Sequence, residues 1–236
     1  MTPDVAFVCA MPMEARPVAR KLSLARATIA GLPGYRGSLD GRPVVAVVTG
    51  MGPRLAAAGA ERLLAESKPA RVVVVGIAGA LEGHVPIGAV VVPDVVIDAA
   101  TGDEHRPAPL GGLASNGTMW TSATLVTDPG ALAELVGRGV VALEMETAAV
   151  AAACEAVGTP WSVVRVISDR ASDGTVDDEV FGMGNQDGSP NPRAVARFVL
   201  RHPGRLPALA RMGRDATRAA ASAADVAIRA VGATTS

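Results

Sequence analysis

Apolar residues along this chain fall in short runs separated by helical patterns. Val5–Ala10, Pro43–Thr49, Arg71–Ile77, Val140–Leu143 and Trp161–Ile167 are Val-rich stretches of strand length. Near-continuous runs of this kind suit strands covered on both faces. Between them, Met13–Leu22, Pro53–Ser67 and Thr147–Val157 read as helices, Pro53 being well placed in a first turn. Thr28–Leu39 reads as one strand, joined to Pro43–Thr49 by a Leu39–Arg42 hairpin turn. Gly88–Ala99 is a long strand with a kink or bulge at Pro93. Thr101–Met119 reads as loop, Trp120–Thr127 as a strand, and Asp128-Pro129 opens a short helix to Val136. Gly174–Pro192 is long enough for a lid. Pro192–Arg201 and Leu206–Ala230 are helical, split by His202-Pro203-Gly204. Their apolar positions Val195, Phe198, Val199, Leu206, Leu209 and Met212 keep helical spacing and are expected to pack on the sheet. The pattern predicts an α/β fold, a parallel or mixed sheet covered by helices.

Composition narrows the class. Hydrophobic residues make up 49% of the 236 but aromatics only 3%, so Val, Ala and Leu must build the core. The net charge of −1 provides no field for nucleic acid. Cys9 and Cys154 sit in apolar runs, as reduced core thiols of a cytoplasmic protein would. No signal-peptide pattern opens the chain, and no apolar run reaches membrane-spanning length. The histidines His84, His105 and His202 have no ligand spacing, so neither metal nor cofactor is expected.

The candidate chemistry lies in Val140–Asp173. One apolar run stops on Glu144-Met145-Glu146, a small-residue helix follows, and the next run stops on Ser168-Asp169. Ligand crevices in open α/β sheets lie at the carboxyl ends of strands. An acid there also fits a helix cap, but three acids at two matched strand ends point towards chemistry. Glu14 stands in the first turn of the first helix, where a carboxylate is favoured in any case. Gly50-Met51-Gly52 before a helix can form an anion or ribose cradle as well as a plain turn.

Glu-Met-Glu, the small-residue helix and Arg-x-Ile-Ser-Asp closely resemble the methylthioadenosine/S-adenosylhomocysteine nucleosidases of the purine nucleoside phosphorylase superfamily. The resemblance extends through Met11–Glu14, Thr49–Gly52 and Gly76–Leu81, so it covers most of residues 4–173. The tail Phe198–Arg218 resembles a hopanoid-associated branch thought to act on adenosylhopane.

The resemblance implies one three-layer domain over residues 1–236, with a central mixed sheet flanked by helices and a C-terminal helical segment at 191–232. It also implies cleavage of an N-ribosidic bond in a 5′-substituted adenosine. Asp169 matches the group that protonates the purine N7, and Glu14 the general base that orients water. Glu146 would accept hydrogen bonds from the ribose hydroxyls and Met145 pack on the sugar. Glu144, Ala78, Gly79 and Ser168 are placed with the substrate, and Phe181 is the candidate to close over the base.

Phosphorolysis is the alternative, with phosphate as co-substrate held by Arg16 or Arg20 and by Gly52. Val74 and Ile77 stand where the phosphorylases carry an Arg and a Ser, which favours water. A catalytically idle nucleoside-binding protein is the other reading. The family further implies a homo-oligomer, a dimer favoured, although residues 101–119 are shorter than the nucleosidases' insert and no aromatic follows Val126 to stack on the base. Seven arginines between Arg193 and Arg218 leave a basic face, either merely solvated or touching anionic lipid.

Overall fold

The computed structural model describes residues 2–81, 85–171, 177–185, 189 and 191–234, and not the side chains of residues 178 and 181. The strands are β1 (Val5–Cys9), β2 (Ala25–Ile29), β3 (Leu32–Leu39), β4 (Arg42–Val48), β5 (Arg71–Ala80), β6 (Val90–Val91), β7 (Val95–Asp98), β8 (Glu104–His105), β9 (Thr118–Thr121), β10 (Val140–Glu144) and β11 (Trp161–Arg170). The helices are α1 (Pro12–Lys21), α2 (Pro53–Ser67), α3 (Pro129–Gly137), α4 (Thr147–Ala156), α5 (Asp178–Phe181), α6 (Pro192–Arg201) and α7 (Leu206–Thr234).

The strands join in one mixed sheet, in the order β2-β3-β4-β1-β5-β10-β9-β7-β8, with β11 on β5 and β6 on β11. Alternate side chains of the central strands enter two separate cores, as the two-residue period of a strand requires. Ala6, Val8, Val72, Val74 and Val163 pack with Ala56, Ala60 and Leu63 of α2 and Val150 and Ala151 of α4. Phe7, Val73, Val75, Val164 and Val166 pack with Ala15 and Val18 of α1 and with Ala219, Ala223, Ala227 and Val231 of α7. The result is three layers, α2/α4, sheet, α1/α7.

Several boundaries differ from the sequence expectation. Thr28–Leu39 is not one strand: Ala30 (φ 49°) and Gly31 (φ 70°) make a tight turn that separates β2 from β3. Positive φ at two successive positions is what a two-residue hairpin needs. Pro93 does more than kink a strand, since β6 pairs with β11 while β7 pairs with β8 and β9. The 101–119 stretch contains β8 and the start of β9, which ends at Thr121 rather than Thr127. Asp128 caps α3 through its carboxylate and the Ala131 N–H, 2.8 Å. The expected loop 174–192 contains α5; its residues 174–176, 186–188 and 190 lie outside the described part.

The C-terminal helices also differ from expectation. The stripe of α7 that reaches the sheet is Ala219–Val231, not Leu206–Met212. Of the apolar positions expected to pack, Phe198 is buried, whereas Leu206 is exposed.

The most consequential feature concerns β10 and β11. The sequence placed acids at the ends of two strands joined by α4 and left their relative direction open. In the fold, β11 runs parallel to β5 along Val72–Ala80, while β10 runs antiparallel to it, with Leu143 against Gly79. Since β11 occupies one edge of β5, β1 and β10 must share the other, β1 along its first half and β10 along its end. The carboxyl ends of β1 and β10 therefore approach each other beside Gly76–Ala78, and the acids meet in mid-sheet.

Candidate active site

That convergence forms a cavity of about 290 Å³, at the small end of the ~300–1,000 Å³ typical of small-molecule sites. Its wall includes Glu14, Ala78, Gly79, Glu144, Met145, Glu146, Ser168 and Asp169. Eight residues singled out from the sequence thus come together.

Glu14 is brought in by the β1–α1 turn and is 1% exposed. Its Oε2 accepts the N–H groups of Ala10 (2.9 Å) and Met11 (3.0 Å), and its Oε1 that of Ile77 (3.0 Å). Burial still pushes its carboxyl above the usual range, against the opposing effects of Arg165 and those three donors. Such a group is a better proton acceptor than an exposed glutamate.

Glu146, 8% exposed, accepts the Gly52 N–H on Oε1 at 2.8 Å. Burial and then the neighbouring Glu144 charge raise its carboxyl to about 7. Gly52 adopts φ 86° at the start of α2, so the first amide of that helix orients Glu146 and is not free for phosphate. This corrects the expectation for Gly52. Arg16 is also displaced from its expected role: it is exposed and lies in a separate groove with Arg26 and Tyr35. Arg20 is likewise exposed.

Glu144 has its partners within the protein. Its carboxylate accepts the Glu146 N–H (3.0 Å), the Thr147 N–H (2.9 Å) and the Thr147 hydroxyl (2.7 Å), and it also bonds Thr121 Oγ1 and Arg165 Nη2. These donors, all from within the protein, hold the carboxylate of Glu144 where it meets the cavity wall.

Asp169 is aimed by a bulge. In the β11–β5 pairing Ile167 faces Ala78 and Asp169 faces Gly79, leaving Ser168 as the extra residue. Ser168 Oγ donates to Asp169 Oδ1 at 2.5 Å. A Cβ on Gly79 would lie 3.4 Å from Asp169 Oδ2, so the bare glycine keeps open the space beside the acid. The side chain of Phe181 lies outside the described residues.

The sequence reading quoted Arg165 only as the start of the Arg-x-Ile-Ser-Asp motif and gave it no role. It is 1% exposed and sits among three carboxylates: Glu144, Glu146 at 3.5 Å and Glu14 at 3.7 Å. Burial alone would lower its pKa, but those carboxylates raise it, so it stays charged. The signal was present, a lone arginine inside the apolar run Trp161–Ile167. A buried arginine needs acids, and three candidates were already in view. Met145 was expected at the site, but the methionines as a set were not: Met11, Met13, Met51, Met145 and Met212 all line the cavity, five of the eight in the chain. In place of a stacking aromatic, Thr124–Thr127 form part of the wall.

These features place the chain among known proteins. The model of the phosphorylase superfamily matches residues 4–112 and 111–201. The chain belongs to that superfamily. A 5′-methylthioadenosine/S-adenosylhomocysteine nucleosidase of Marinomonas is 31% identical over 174 residues, 61% of this chain and 75% of that protein. The structure of futalosine hydrolase of Helicobacter pylori superposes with a TM-score of 0.75 at 15% identity, over 98% of each chain. That of the methylthioadenosine/S-adenosylhomocysteine nucleosidase of Colwellia psychrerythraea, in complex with adenine, superposes with a TM-score of 0.73 at 22% identity, covering 99% and 96%.

Proposed function

We propose that this member of the phosphorylase superfamily hydrolyses the N-ribosidic bond of a 5′-substituted adenosine, releasing adenine. The observation that carries the reading is the buried Glu14, raised in basicity and fixed by three backbone donors in a cavity shared with Asp169. The nucleosidase relatives support the same reaction class.

The chemistry follows from those groups. As the C1′–N9 bond lengthens, its electron pair moves into the purine and positive charge collects on the ribose. Asp169 gives its proton to N7, neutralising the leaving base. Water attacks C1′ and loses a proton to Glu14. Glu146 accepts hydrogen bonds from the ribose hydroxyls, and its negative charge favours the cationic sugar, as in other glycosidases.

Water is favoured over phosphate by charge. Among the described residues that line the cavity there is no arginine or lysine, and the nearby Arg165 is already surrounded by Glu14, Glu144 and Glu146. A phosphate dianion there would be buried without free donors and beside carboxylates. The methionine-rich wall favours an apolar 5′ substituent, because flexible thioethers adapt to such groups. It suits a methylthio group, and the larger hydrocarbon of an adenosylhopane is the longer candidate that the same test covers.

The test is product analysis on 5′-methylthioadenosine and longer apolar 5′ derivatives, with and without phosphate. Adenine and a free sugar, formed at a rate independent of phosphate, are expected. A sugar 1-phosphate formed only with phosphate would replace hydrolysis by phosphorolysis.

A further inference from the structure

Away from the cavity, positive charge is concentrated in one stretch. Residues 191–218 hold seven arginines and a single acid, in a chain of net charge −1. On α6 the exposed positions include 193, 196, 197, 200 and 201, which lie on one helix face. They carry Arg, Ala, Arg, Leu and Arg. Leu200 is 83% exposed, the largest value among the large hydrophobics of the described residues.

The other face of α6 is anchored by Phe198, 2% exposed, with the Arg205 guanidinium 5.1 Å from its ring centre. Arg205 is paired with Asp177 at 2.9 Å. Further on, Arg211 and Arg214 are exposed, while Arg218 takes the one acid, Asp215, at 3.7 Å. Glu179 shares a small cleft with Arg197 and Arg201 but pairs with His202 at 3.1 Å. Among the described residues no ion pair within 4 Å reaches Arg193, Arg197, Arg201, Arg211 or Arg214.

We propose that the outward face of α6, with the adjoining start of α7, docks on a bilayer surface that carries anionic headgroups. Charge complementarity selects this occupant, and a leucine set between long cations suits the headgroup boundary. A second copy would bring like-charged rows together. Nucleic acid is disfavoured because the exposed α6 face holds no aromatic for stacking. The contact is peripheral, since no helix among the described residues is long and apolar enough to cross a membrane. Met212 and Ala216, beside Arg211 and Arg214 on α7, line the cavity, so docking would bring that wall close to the membrane. The docking itself does not depend on which reaction the cavity performs.

The test is co-sedimentation of the whole chain with phosphatidylcholine vesicles, with and without phosphatidylglycerol, at low and high salt. Binding to the anionic vesicles alone, lost at high salt, is expected. Each near-surface arginine contributes about fivefold, so R193A/R197A/R201A should weaken partitioning about a hundredfold. The triple lysine variant should bind as the wild type does, and all variants should melt alike because these side chains are exposed. Absence of wild-type binding to anionic vesicles at low salt overturns the proposal, and so does undiminished binding by the alanine variant. Equal affinity for a single-stranded oligonucleotide, or dissociation of a dimer by the alanine changes without lipid, would assign the face to another partner.

Discussion

The raised Glu146 carboxyl makes a stability prediction whose sign is fixed. Its pKa rises from 4.5 to about 7 on folding. Between those values the folded chain holds a proton that the unfolded chain has released, so stability falls as pH rises through this window. A rise of that size corresponds to about 3 kcal/mol once the group is fully ionised, at ~1.4 kcal/mol per pH unit. Glu146→Gln keeps a carbonyl oxygen for the Gly52 N–H but cannot ionise. Below about pH 4, where the side chain is neutral folded and unfolded alike, the two proteins should be about equally stable, and at pH 5 the variant should already lead by just under about 1 kcal/mol. By pH 8 the variant should be more stable by up to about 3 kcal/mol. Urea unfolding at pH 5, 6, 7 and 8 measures the difference directly. A difference that does not change across this range would refute the argument, because it would mean that Glu146 ionises alike in both states. The same variant should lose activity, since an amide brings no negative charge to the sugar. The wild-type kcat/KM should rise with pH on a limb near 7 as Glu146 ionises.

Three further predictions concern its neighbours. Asp169→Asn should lower turnover by about 10²–10⁴-fold while nucleoside binding persists; retention of more than about a tenth of the activity would remove Asp169 as proton donor. Gly76→Ala places a Cβ 2.3 Å from both Glu14 Oε1 and Arg165 Nη1. It should destabilise by about 1–3 kcal/mol and slow turnover more than it raises KM; wild-type kinetics would show that Glu14 need not stay where it is. Arg165→Met leaves buried carboxylates without their cation and should cost about 3–5 kcal/mol at neutral pH, less in acid, by calorimetry.

Much of the site was legible because strand ends announce themselves. Glu144-Met145-Glu146 and Ser168-Asp169 both break Val-rich runs, and Glu14 follows a third. What the pattern could not show was direction. An apolar run reads the same whether its strand is parallel or antiparallel, so the reversal of β10 was invisible, and with it the meeting of the acids in mid-sheet. The division of labour among the acids was equally hidden, because it depends on where Arg165 and the Gly52 amide point. Spacing alone also misjudged α7: Leu206, Leu209 and Met212 keep helical period, yet the alanine stripe beyond them is what the sheet covers. Small side chains let a helix approach a sheet closely, a property that a scale of hydrophobicity does not record.

The arrangement of charge shows why such a site departs from an ordinary core. Three carboxylates share one guanidinium at nearly complete burial, so the cluster carries excess negative charge whenever Glu146 is ionised. A core optimised for stability would hold apolar groups of the same volume, often at no cost. Excess negative charge becomes useful only when a cation forms beside it, as it does on a ribose losing its base. Arg165 keeps the imbalance tolerable: it neutralises the acids enough for folding while Glu144 and Thr147 fix it in place. Gly76 has the same logic, since any side chain there would separate Glu14 from Arg165. The stability expected to be regained in Glu146→Gln above pH 7 is therefore a measure of the electrostatic field that the pocket holds ready for the transition state.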